Sequence, residues 1–384
     1  MEGELLLAGG LAERLGTAGA NLHHEAGGKL RQIGPPIEDH AAAARLMFRM
    51  LTDGEVGAIA APGEIVSVGH RVVHGGEYFF EATLLDESAL RRVGQCGELA
   101  PLHNPAALAG IRACQQLFPG IPQVAVFDTA FHQTLPREAY SYGLPYRLYE
   151  KYRLRKYGFH GTSHRYVSQR AAALLRQPLE KLRIVSAHLG NGASMAAISG
   201  GSSVETSMGL TPLDGLLMGT RTGSLDPAVV WFLAEKEGLD PERLRRLFNE
   251  ESGLLGLSGI SRDMREVLAA AQAGGERARL AVSIFCYRVR SYIGAYAAVM
   301  GGLDALAFTA GIGENSPPIR AGCCEGLEFL GLVLDGEKNA AAIGREAEIG
   351  RTGAPARILV VPTNEELLIA RETAQLVASL SASR

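Results

Sequence analysis

A stretch dense in glycine, serine and threonine, residues 188–226, most constrains what this chain can fold into. Two short apolar runs, 183–189 and 193–198, flank the tight turn Gly190-Asn191-Gly192 and predict a β-hairpin with Asn-Gly at its tip. Such a turn brings backbone N–H groups close to an anion. The alternative is an ordinary hairpin whose Asn-Gly pair only supplies positive φ. Arg221 favours the anion site, because its small polar neighbours leave the guanidinium free to reach a phosphate.

Composition excludes several classes of function. The chain has 384 residues, enough for two domains, and a net charge of −3, which provides no general attraction to nucleic acid. Its five cysteines show no CxxC or Cys/His spacing, which argues against a disulfide framework or a structural zinc site and favours a reducing compartment. The N-terminus has acidic residues where a secretory signal needs basic ones, and its apolar run is too short to span a membrane. We therefore expect a cytoplasmic protein with no membrane or nucleic-acid partner.

Two predicted strands of the first half end in charged residues. Arg71 lies near the end of a strand over 65–73, and Asp128 follows a buried strand over 123–127. Open α/β sheets bind ligands at the carboxyl ends of their strands, so both residues are candidates for a site. A surface ion pair for Arg71 and local backbone bonding for Asp128 are the alternatives. Asn104 is predicted to cap the helix between the two strands.

Three later segments also carry candidate site residues. His160 precedes a helix expected to start near His164, a location that favours anions, although a histidine there also caps or packs. A strand over 303–309, a sharp glycine-containing turn over 310–315 and a helix start would admit a nucleotide's sugar and base beside the backbone. The alternative is a turn that only separates the strand from the helix. Glu365 and Glu366 fill the first turn of the last helix, where they favour the helix dipole whether or not they bind a ligand.

The remaining pattern predicts a mixed α/β protein with mostly buried sheets. A helix is expected over 40–51, and a helical region from Ser261 through Arg290. Residues 1–30 contain no convincing strand or helix, so His23 and His24 are expected in a surface loop. Trp231 is expected in the core. The absence of GxxxxGK(S/T) and of the protein-kinase signatures excludes those two kinase classes.

Taken together, the motifs resemble the acetate kinase family, which belongs to the actin, sugar-kinase and Hsp70 class of ATPases. Eight motifs carry the resemblance, in family order: GHRVVHGGE (69–77), PLHNP (101–105), VFDTAFHQTLP (126–136), YGFHGTSH (157–164), HLGNGAS (188–194), ETSMGLTPLDGLLMGTRTGSLDP (205–227), FTAGIGENS (308–316) and PTNEEL (362–367).

The resemblance implies a fold and an activity. The fold would be two ribonuclease H-like domains with an active-site cleft between them. The first would comprise residues 1–130 completed by 363–384 and would bind the acid and phosphate; the second, residues 131–362, would bind nucleotide. The activity would be reversible phosphoryl transfer between ATP and acetate, giving ADP and acetyl phosphate, with Mg²⁺, or Mn²⁺ in its place. The resemblance also implies a homodimer.

The resemblance further assigns roles to individual residues. Arg71 and Arg221 would hold the carboxylate and the phosphoryl group, His160 would stabilise that group in transfer, Asp128 would be the catalytic aspartate and Glu365, rather than Glu366, the magnesium ligand. The acetyl methyl would lie among four residues: Val73, Leu102, Phe159 and Pro212. Three segments would form the ATP site: His188, Leu189, Gly190, Asn191 and Gly192; Asp263, Met264 and Arg265; and Gly311, Ile312, Gly313, Glu314 and Asn315.

One departure from the family pattern lies at the beginning of the chain. Family members open with a strand and an Asn-x-Gly-Ser-Ser loop that contacts magnesium and phosphate, and neither is present here. Loss of that strand would leave unpaired backbone in the first sheet. Two alternatives to an acetate kinase therefore stay open: a propionate or butyrate kinase, and a catalytically impaired protein that binds nucleotide without transferring phosphate.

Overall fold

The computed structural model describes residues 4–101 and 103–382. It divides into two compact units, one formed by Met1–Asp128 with Glu366–Arg384 and the other by Thr129–Glu365. Both are mixed α/β, as the sequence predicts. No helix in the described part of the chain is both long and apolar enough to cross a membrane.

The first unit begins with a small antiparallel sheet where the sequence predicted no regular structure. Strands β1 (Ala8–Glu13), β2 (Asn21–Ala26) and β3 (Lys29–Ile33) pair in that order, and helix α1 (His40–Leu51) packs against them. The loop prediction for His24 was also wrong. This residue lies in β2, only 4% exposed, with Nε2 2.8 Å from the carbonyl oxygen of Val56. The strands were missed because small residues and histidines give no clear alternation of polar and apolar side chains.

A second three-stranded sheet carries Arg71 and Asp128. Its order is β4 (Val68–Val72), β6 (Gln123–Phe127) and β5 (Thr83–Leu84); β4 runs parallel to β6, so both carboxyl ends lie at one edge. Helices α2 (Glu87–Gln95) and α3 (Asn104–Leu117) belong to this unit, as does all but the first residue of α15 (Glu365–Ala382). A Cβ on Gly69 would lie 2.6 Å from Thr373 Oγ1, which shows how closely β4 packs against α15.

Asn104 does not cap α3, contrary to prediction. The N-cap is His103, and Asn104 is the buried first residue of the helix. Its side-chain oxygen accepts from the His74 amide (3.2 Å), and its amide nitrogen donates to the carbonyls of His74 and Val93. Asn104 therefore fixes the segment that follows the Arg71 strand.

The second unit is built on a six-stranded sheet. Its strands span Arg183–Leu189 (β7), Ala193–Ser199 (β8), Ser202–Thr206 (β9), Ala305–Thr309 (β10), Ala347–Glu348 (β11) and Arg357–Val360 (β12). Their order in the sheet is β11-β12-β10-β7-β8-β9. The hairpin strands β7 and β8 are antiparallel, as are β8 and β9, whereas β10 and β12 are parallel to β7 and to each other. If β11 is omitted and β7 is counted as the first strand, the order read from β9 is 3-2-1-4-5, that of a ribonuclease H-like sheet.

Helices cover this sheet and extend beyond it. They are α4 (Arg137–Tyr140), α5 (Tyr146–Tyr152), α6 (Gly161–Leu175), α7 (Ala228–Glu237), α8 (Pro241–Glu250), α9 (Gly253–Ser258), α10 (Met264–Gln272), α11 (Glu276–Val299), α12 (Ala310–Asn315), α13 (Pro317–Cys324) and α14 (Gly336–Ala341). Short 3-10 turns occur at Pro62–Glu64, Cys96–Glu98, Ala130–Thr134, Leu179–Lys181 and Glu328–Leu330.

Two helical predictions for this unit need correction. The region expected to be helical from Ser261 through Arg290 is interrupted between α10 and α11, because Gly274 adopts a φ of +98° that a helix does not allow. Trp231 is 59% exposed rather than in the core. The first seven residues of α7 are all apolar, so its sequence does not indicate which face packs inward.

Candidate active site

The hairpin tip of residues 190–192 forms as predicted and is attached to the segment that carries Arg221. Gly190 N donates to Gly192 O (3.1 Å), and none of the three tip residues has positive φ, so supplying positive φ is not the reason for the Asn-Gly pair. Gly219 N donates to Asn191 O (3.0 Å), and a Cβ on Gly219 would lie 2.0 Å from Asn191 Oδ1. Glycine at 219 is therefore needed for the tip and the Arg221 segment to meet.

Arg221 is a largely buried cation without a carboxylate partner among the described residues. Its Nη1 donates to Pro212 O (3.1 Å) and lies 3.7 Å from Met218 Sδ. Burial lowers the pKa of the guanidinium below its ordinary value, since no anion compensates for the lost hydration. A buried guanidinium that contacts only neutral groups is suited to receiving an anionic ligand.

His160 lies beside Arg221 in the same unit. It is the N-cap of α6 with a φ of +55°, an uncommon conformation for a residue other than glycine. A Cβ on Gly192 would lie 3.6 Å from His160 Nε2 and 3.7 Å from Arg221 Nη1, so both side chains reach the same point on the hairpin tip. The helix expected near His164 thus begins three residues earlier, and His160 stands directly at its N-terminus.

His160 is held by its ring neighbours. Its Nδ1 is 2.9 Å from Ser194 Oγ, and its ring stacks on that of His188, with centroids 4.2 Å apart and an interplanar angle of 19°. His188 Nδ1 in turn is 2.8 Å from Ser163 Oγ, in the first turn of α6. The hairpin strands and the helix therefore fix both imidazoles before any ligand binds.

A cavity of about 710 Å³ opens on the other side of the hairpin tip. Eight predicted ATP-site residues line it: Gly190, Asn191, Asp263, Met264, Arg265, Gly311, Ile312 and Asn315. Four further lining residues were not predicted: Arg262, Leu268, Ser316 and Pro318. Their positions could have been predicted from the predicted segments. Arg262 and Ser316 directly adjoin those segments, Pro318 follows two residues later, and Leu268 is one helical turn after Met264.

The other five predicted ATP-site residues lie behind the cavity wall. Leu189 is fully buried, Gly313 faces Phe308 of β10, and His188 stacks on His160, while Gly192 lies toward Arg221. The Glu314 carboxylate turns inward and accepts from Thr363 N (3.1 Å). Of the five, His188 and Leu189 belong to β7, Gly192 to the hairpin turn, and Gly313 and Glu314 to α12.

The segment after β10 is not the glycine turn that was predicted. The chain reverses at Ala310, which has a φ of +62°, and residues Ala310–Asn315 form the short helix α12. Left-handed backbone at a residue with a side chain costs about 1 kcal/mol or more and is concentrated at functional sites. This conformation was not predictable from the sequence, because alanine rarely adopts it.

In the first unit, Arg71 and Asp128 form a bidentate ion pair. Arg71 Nε donates to Asp128 Oδ1 (2.9 Å) and Nη2 to Oδ2 (2.7 Å), and the aspartate side chain is only 2% exposed. Because the carboxylate partner of Arg71 is buried, the pair differs from the ordinary surface ion pair that was the alternative. Each carboxylate oxygen of Asp128 is directed at the guanidinium.

The residues predicted to surround the acetyl methyl are distributed over both units. Val73, in the first, is half-buried directly after β4. In the second, Phe159 is 1% exposed, and Pro212 bonds Arg221 through its carbonyl. Leu102 lies outside the described residues.

Glu365, the predicted magnesium ligand, is the first residue of α15. Among the described residues no three His, Cys, Asp or Glu side chains cluster as a metal cage would require. Magnesium bound with a nucleotide needs only one or two carboxylates, because phosphates and water complete its coordination. A single glutamate is thus a chemically adequate donor for this ion.

Comparison with known proteins agrees with this geometry. The family model of the acetokinase family matches residues 2–371. The chain is 53% identical to an acetate kinase of Alkaliphilus metalliredigens, over 98% of this chain and 95% of that protein, and 55% identical to one of Heliobacterium modesticaldum, over 98% and 95%.

Solved structures give the same result. The crystal structure of Porphyromonas gingivalis acetate kinase superposes with a TM-score of 0.93 at 45% identity, covering 97% of this chain and 93% of that one. A propionate kinase from Francisella tularensis superposes with a TM-score of 0.90 at 43% identity, covering 96% and 93%. The chain belongs to the acetokinase family and is a kinase with the α/β fold of that family.

Proposed function

We propose that the protein catalyses the Mg²⁺-dependent, reversible transfer of the γ-phosphoryl group of ATP to acetate, giving ADP and acetyl phosphate. The observation that carries the proposal is Arg221, a partly buried cation whose side-chain hydrogen bonds, among the described residues, go to neutral groups. Arg221 and His160 both reach the tip of the hairpin that also lines the 710 Å³ cavity. Family membership supports the same reaction.

The chemistry explains why cations and hydrogen-bond donors are needed. Acetate is ionised at neutral pH, by analogy with carboxyl side chains of pKa roughly 4, so its oxygen attacks without a general base. A carboxylate oxygen forms a bond to the γ-phosphorus while the bond from that phosphorus to the β–γ bridging oxygen breaks, and ADP leaves with the electron pair. The main obstacle is repulsion between an anion and a tetra-anionic nucleotide, which positive groups fixed in advance reduce.

Four residues would contribute to this task. In the second unit, Arg221 and an N–H of His160 would bind the equatorial oxygens of the transferring phosphoryl group. In the first unit, Arg71 would bind the acetate carboxylate or that same group. Asp128 would orient Arg71, because both of its oxygens accept from the guanidinium.

Glu365 would hold the magnesium ion, with Mn²⁺ as a possible substitute and Glu366 the less favoured ligand. When bound, the ion would neutralise charge on the nucleotide phosphates. ATP or ADP would occupy the 710 Å³ cavity, with the phosphates toward Gly190 and Asn191. Apolar side chains of the cavity wall, such as Leu268 and Ile312, would contact the base.

A second candidate is propionate as acceptor. It is favoured by the structural likeness to a propionate kinase and by the proposed methyl pocket of Val73, Leu102, Phe159 and Pro212. One methylene changes the free energy of binding in such a pocket by only about 1 to 3 kcal/mol. Comparing kcat/KM for acetate, propionate and butyrate decides between the candidates, and the highest value identifies the preferred acid.

The decisive experiment traps the acyl phosphate with hydroxylamine. The purified protein, ATP, MgCl₂ and acetate should yield acetyl hydroxamate and ADP in equal amounts, with none formed when ATP is omitted. ADP release without hydroxamate would contradict the proposal. Nucleotide binding without either product would support the alternative of a catalytically impaired binding protein.

We also propose that the protein acts as a homodimer in the cytoplasm. Its five cysteines are free thiols, which suits a reducing compartment. Trp231 and Phe232 on α7 are 59% and 58% exposed, and an interface with a second chain would remove both rings from water. Light scattering on the purified protein at micromolar concentration would contradict the dimer if it gave the mass of a single chain.

A further inference from the structure

Ser194, on β8, connects two histidines through one hydroxyl group. Its Oγ lies 2.9 Å from Nδ1 of His160 and 2.8 Å from Nε2 of His164, and the serine is fully buried. His164 continues the chain of contacts, with Nδ1 2.9 Å from Ser186 Oγ on β7. Because a hydroxyl has one proton, Ser194 donates to one imidazole and accepts from the other.

The state of His164 limits these arrangements. It is fully buried on α6, and burial, with lesser contributions from His132 and His188, places the pKa of His164 well below the ordinary histidine value. The ring is therefore neutral at physiological pH and carries a single N–H. If that proton is on Nε2, it is donated to Ser194, and Ser194 donates to His160 Nδ1.

The direction of the hydroxyl then determines what His160 offers a ligand. A neutral His160 whose Nδ1 accepts from Ser194 must carry its proton on Nε2, the atom that faces the hairpin tip near Gly192. A neutral His160 whose Nδ1 donates instead has a bare lone pair on Nε2, which repels phosphate oxygens. Only the first arrangement gives a donor at Nε2 without protonating the ring.

We infer that Ser194 is a positioning residue: it donates to His160 Nδ1, accepts from His164 Nε2, and thereby keeps His160 as the neutral Nε2–H tautomer that binds the transferring phosphoryl group. This role rests on the proposed phosphoryl transfer. It goes beyond the assignment of His160 because it specifies the proton that His160 uses and the two residues that fix its place.

Kinetics of three variants test the role. In Ser194→Ala, His160 Nδ1 loses its donor and the two neutral tautomers mix, so kcat should fall about tenfold, the effect of one hydrogen bond, with KM for ATP and acetate within about twofold. Ser194→Thr keeps the hydroxyl and should recover kcat to within roughly threefold of the natural protein. Ser168→Ala removes a buried hydroxyl of α6 that donates to the Arg165 carbonyl, and it should keep full activity.

A proportional loss of kcat and of melting temperature in both Ser194→Ala and Ser168→Ala would overturn the inference, since it would indicate packing alone. Full activity in Ser194→Ala would also overturn it. A selective loss of kcat in Ser194→Ala, with rescue by threonine, supports it.

The tautomer of His160 can also be measured by NMR in the natural protein, so this test does not depend on the folding of a Ser194 variant. In the natural protein labelled with ¹⁵N-histidine at about pH 8, where a free imidazole is neutral, His160 should show a pyrrole-type Nε2 and a pyridine-type Nδ1. His160→Gln identifies its signals by their loss. A pyridine-type Nε2, or protons on both nitrogens, would overturn the inference. Failure of the natural protein to make acyl phosphate would refute the proposed function. The assignment of the His160 tautomer would be unaffected by that result, because the NMR measurement tests it separately.

Discussion

The guanidinium of Arg71 is held edge-on by the carboxylate of Asp128, with two parallel hydrogen bonds of 2.9 and 2.7 Å from Nε and Nη2. Arg71 is the penultimate residue of β4 and Asp128 directly follows β6, and the parallel pairing of these strands brings the two residues together. The aspartate side chain is buried and that of the arginine is 44% exposed, so a buried carboxylate anchors a partly exposed cation. This geometry supports the proposal that Asp128 orients Arg71 rather than acting as a base.

Asp128→Asn should therefore impair the use of acetate. The amide has one acceptor oxygen in place of two, and its NH₂ group faces a donor of Arg71. We expect kcat/KM for acetate to fall roughly 10- to 100-fold, as for loss of a charge-assisted hydrogen bond, while the Kd for ATP changes less than about threefold.

Glu87→Gln provides a matched control in the same unit. Glu87 forms an equally bidentate pair with Arg112, at 2.7 and 3.0 Å, but both side chains are exposed. Exposed pairs contribute little, so this variant should keep its activity within about twofold. Steady-state kinetics at saturating ATP measure both variants, and equal effects would show that the Arg71–Asp128 pair has no special role.

Arg221→Ala should suppress turnover far more than it weakens ATP binding. Its guanidinium would contact the phosphoryl group mainly in the transition state, so we expect kcat to fall about 10³-fold, by analogy with arginine fingers. The Kd for ATP, measured by calorimetry, should change only a fewfold. Arg221→Lys should be intermediate, because it keeps the charge but loses the planar fork.

Arg170→Ala is the control for loss of an arginine from the second unit. Arg170 pairs with Glu346 at 2.8 and 2.9 Å and lies away from the hairpin tip in the sequence and in its contacts. Its kcat should be unchanged. Equal losses of kcat and ATP affinity in Arg221→Ala would identify Arg221 as a structural arginine.

Gly192→Ala should separate activity from stability. The new methyl group would sit at ordinary contact distance, 3.6 to 3.7 Å, from His160 Nε2 and Arg221 Nη1, and the backbone there does not have positive φ. The fold should therefore tolerate it, but the methyl occupies the point that both side chains reach. We expect kcat to fall at least about tenfold, since misplacement of reacting groups is costly, with the melting temperature within about 2 °C.

Gly294→Ala, in the middle of α11, is the corresponding control. A Cβ there meets nothing within 4 Å. Alanine favours a helix by up to about 1 kcal/mol over glycine, so this variant should be as active as the natural protein and at least as stable. A Gly192→Ala enzyme with full activity would show that the phosphoryl group does not pass between His160 and Arg221.

Local patterns explain which parts of the fold were predictable. Helix α1 and strand β6 have the predicted ends, because helical periodicity and a compact apolar run are each complete within a dozen residues. The hairpin was predictable from its turn residues. Trp231 was not, since its exposure depends on which side of α7 meets the rest of the unit, and the left-handed Ala310 carries no sequence signal.

The candidate site divides in the same way. Arg71, Asp128, His160 and Arg221 were identified because charged residues at strand and helix ends stand out and because the motifs resemble a family. Ser194 was not, because its role depends on the register that sets β8 beside β7 and on the approach of α6 from 30 residues earlier. Contacts of this kind require the tertiary structure.

Stability should decrease in mild acid because of His132. This ring is fully buried: Nε2 donates to the Phe159 carbonyl (3.1 Å) and Nδ1 is 2.8 Å from Ser203 Oγ. Burial lowers the pKa of His132 to about 4. In the unfolded chain this histidine has an ordinary pKa near 6.5, so it binds a proton at a pH where the folded protein does not. The free energy of unfolding should therefore decrease as the pH falls from about 6.5 to about 4, by about 3 kcal/mol in total.

His132→Gln removes this titration and should flatten the pH dependence, although it lowers stability at neutral pH. Urea unfolding followed between about pH 7.5 and about pH 4.5 measures the slope. His40→Gln, at the exposed first position of α1, should keep the slope of the natural protein. A parallel loss of stability in His132→Gln and in the natural protein would show that His132 is not the group that binds the proton on unfolding. The acid sensitivity would then have to come from His164 or His70, because burial lowers the pKa of both.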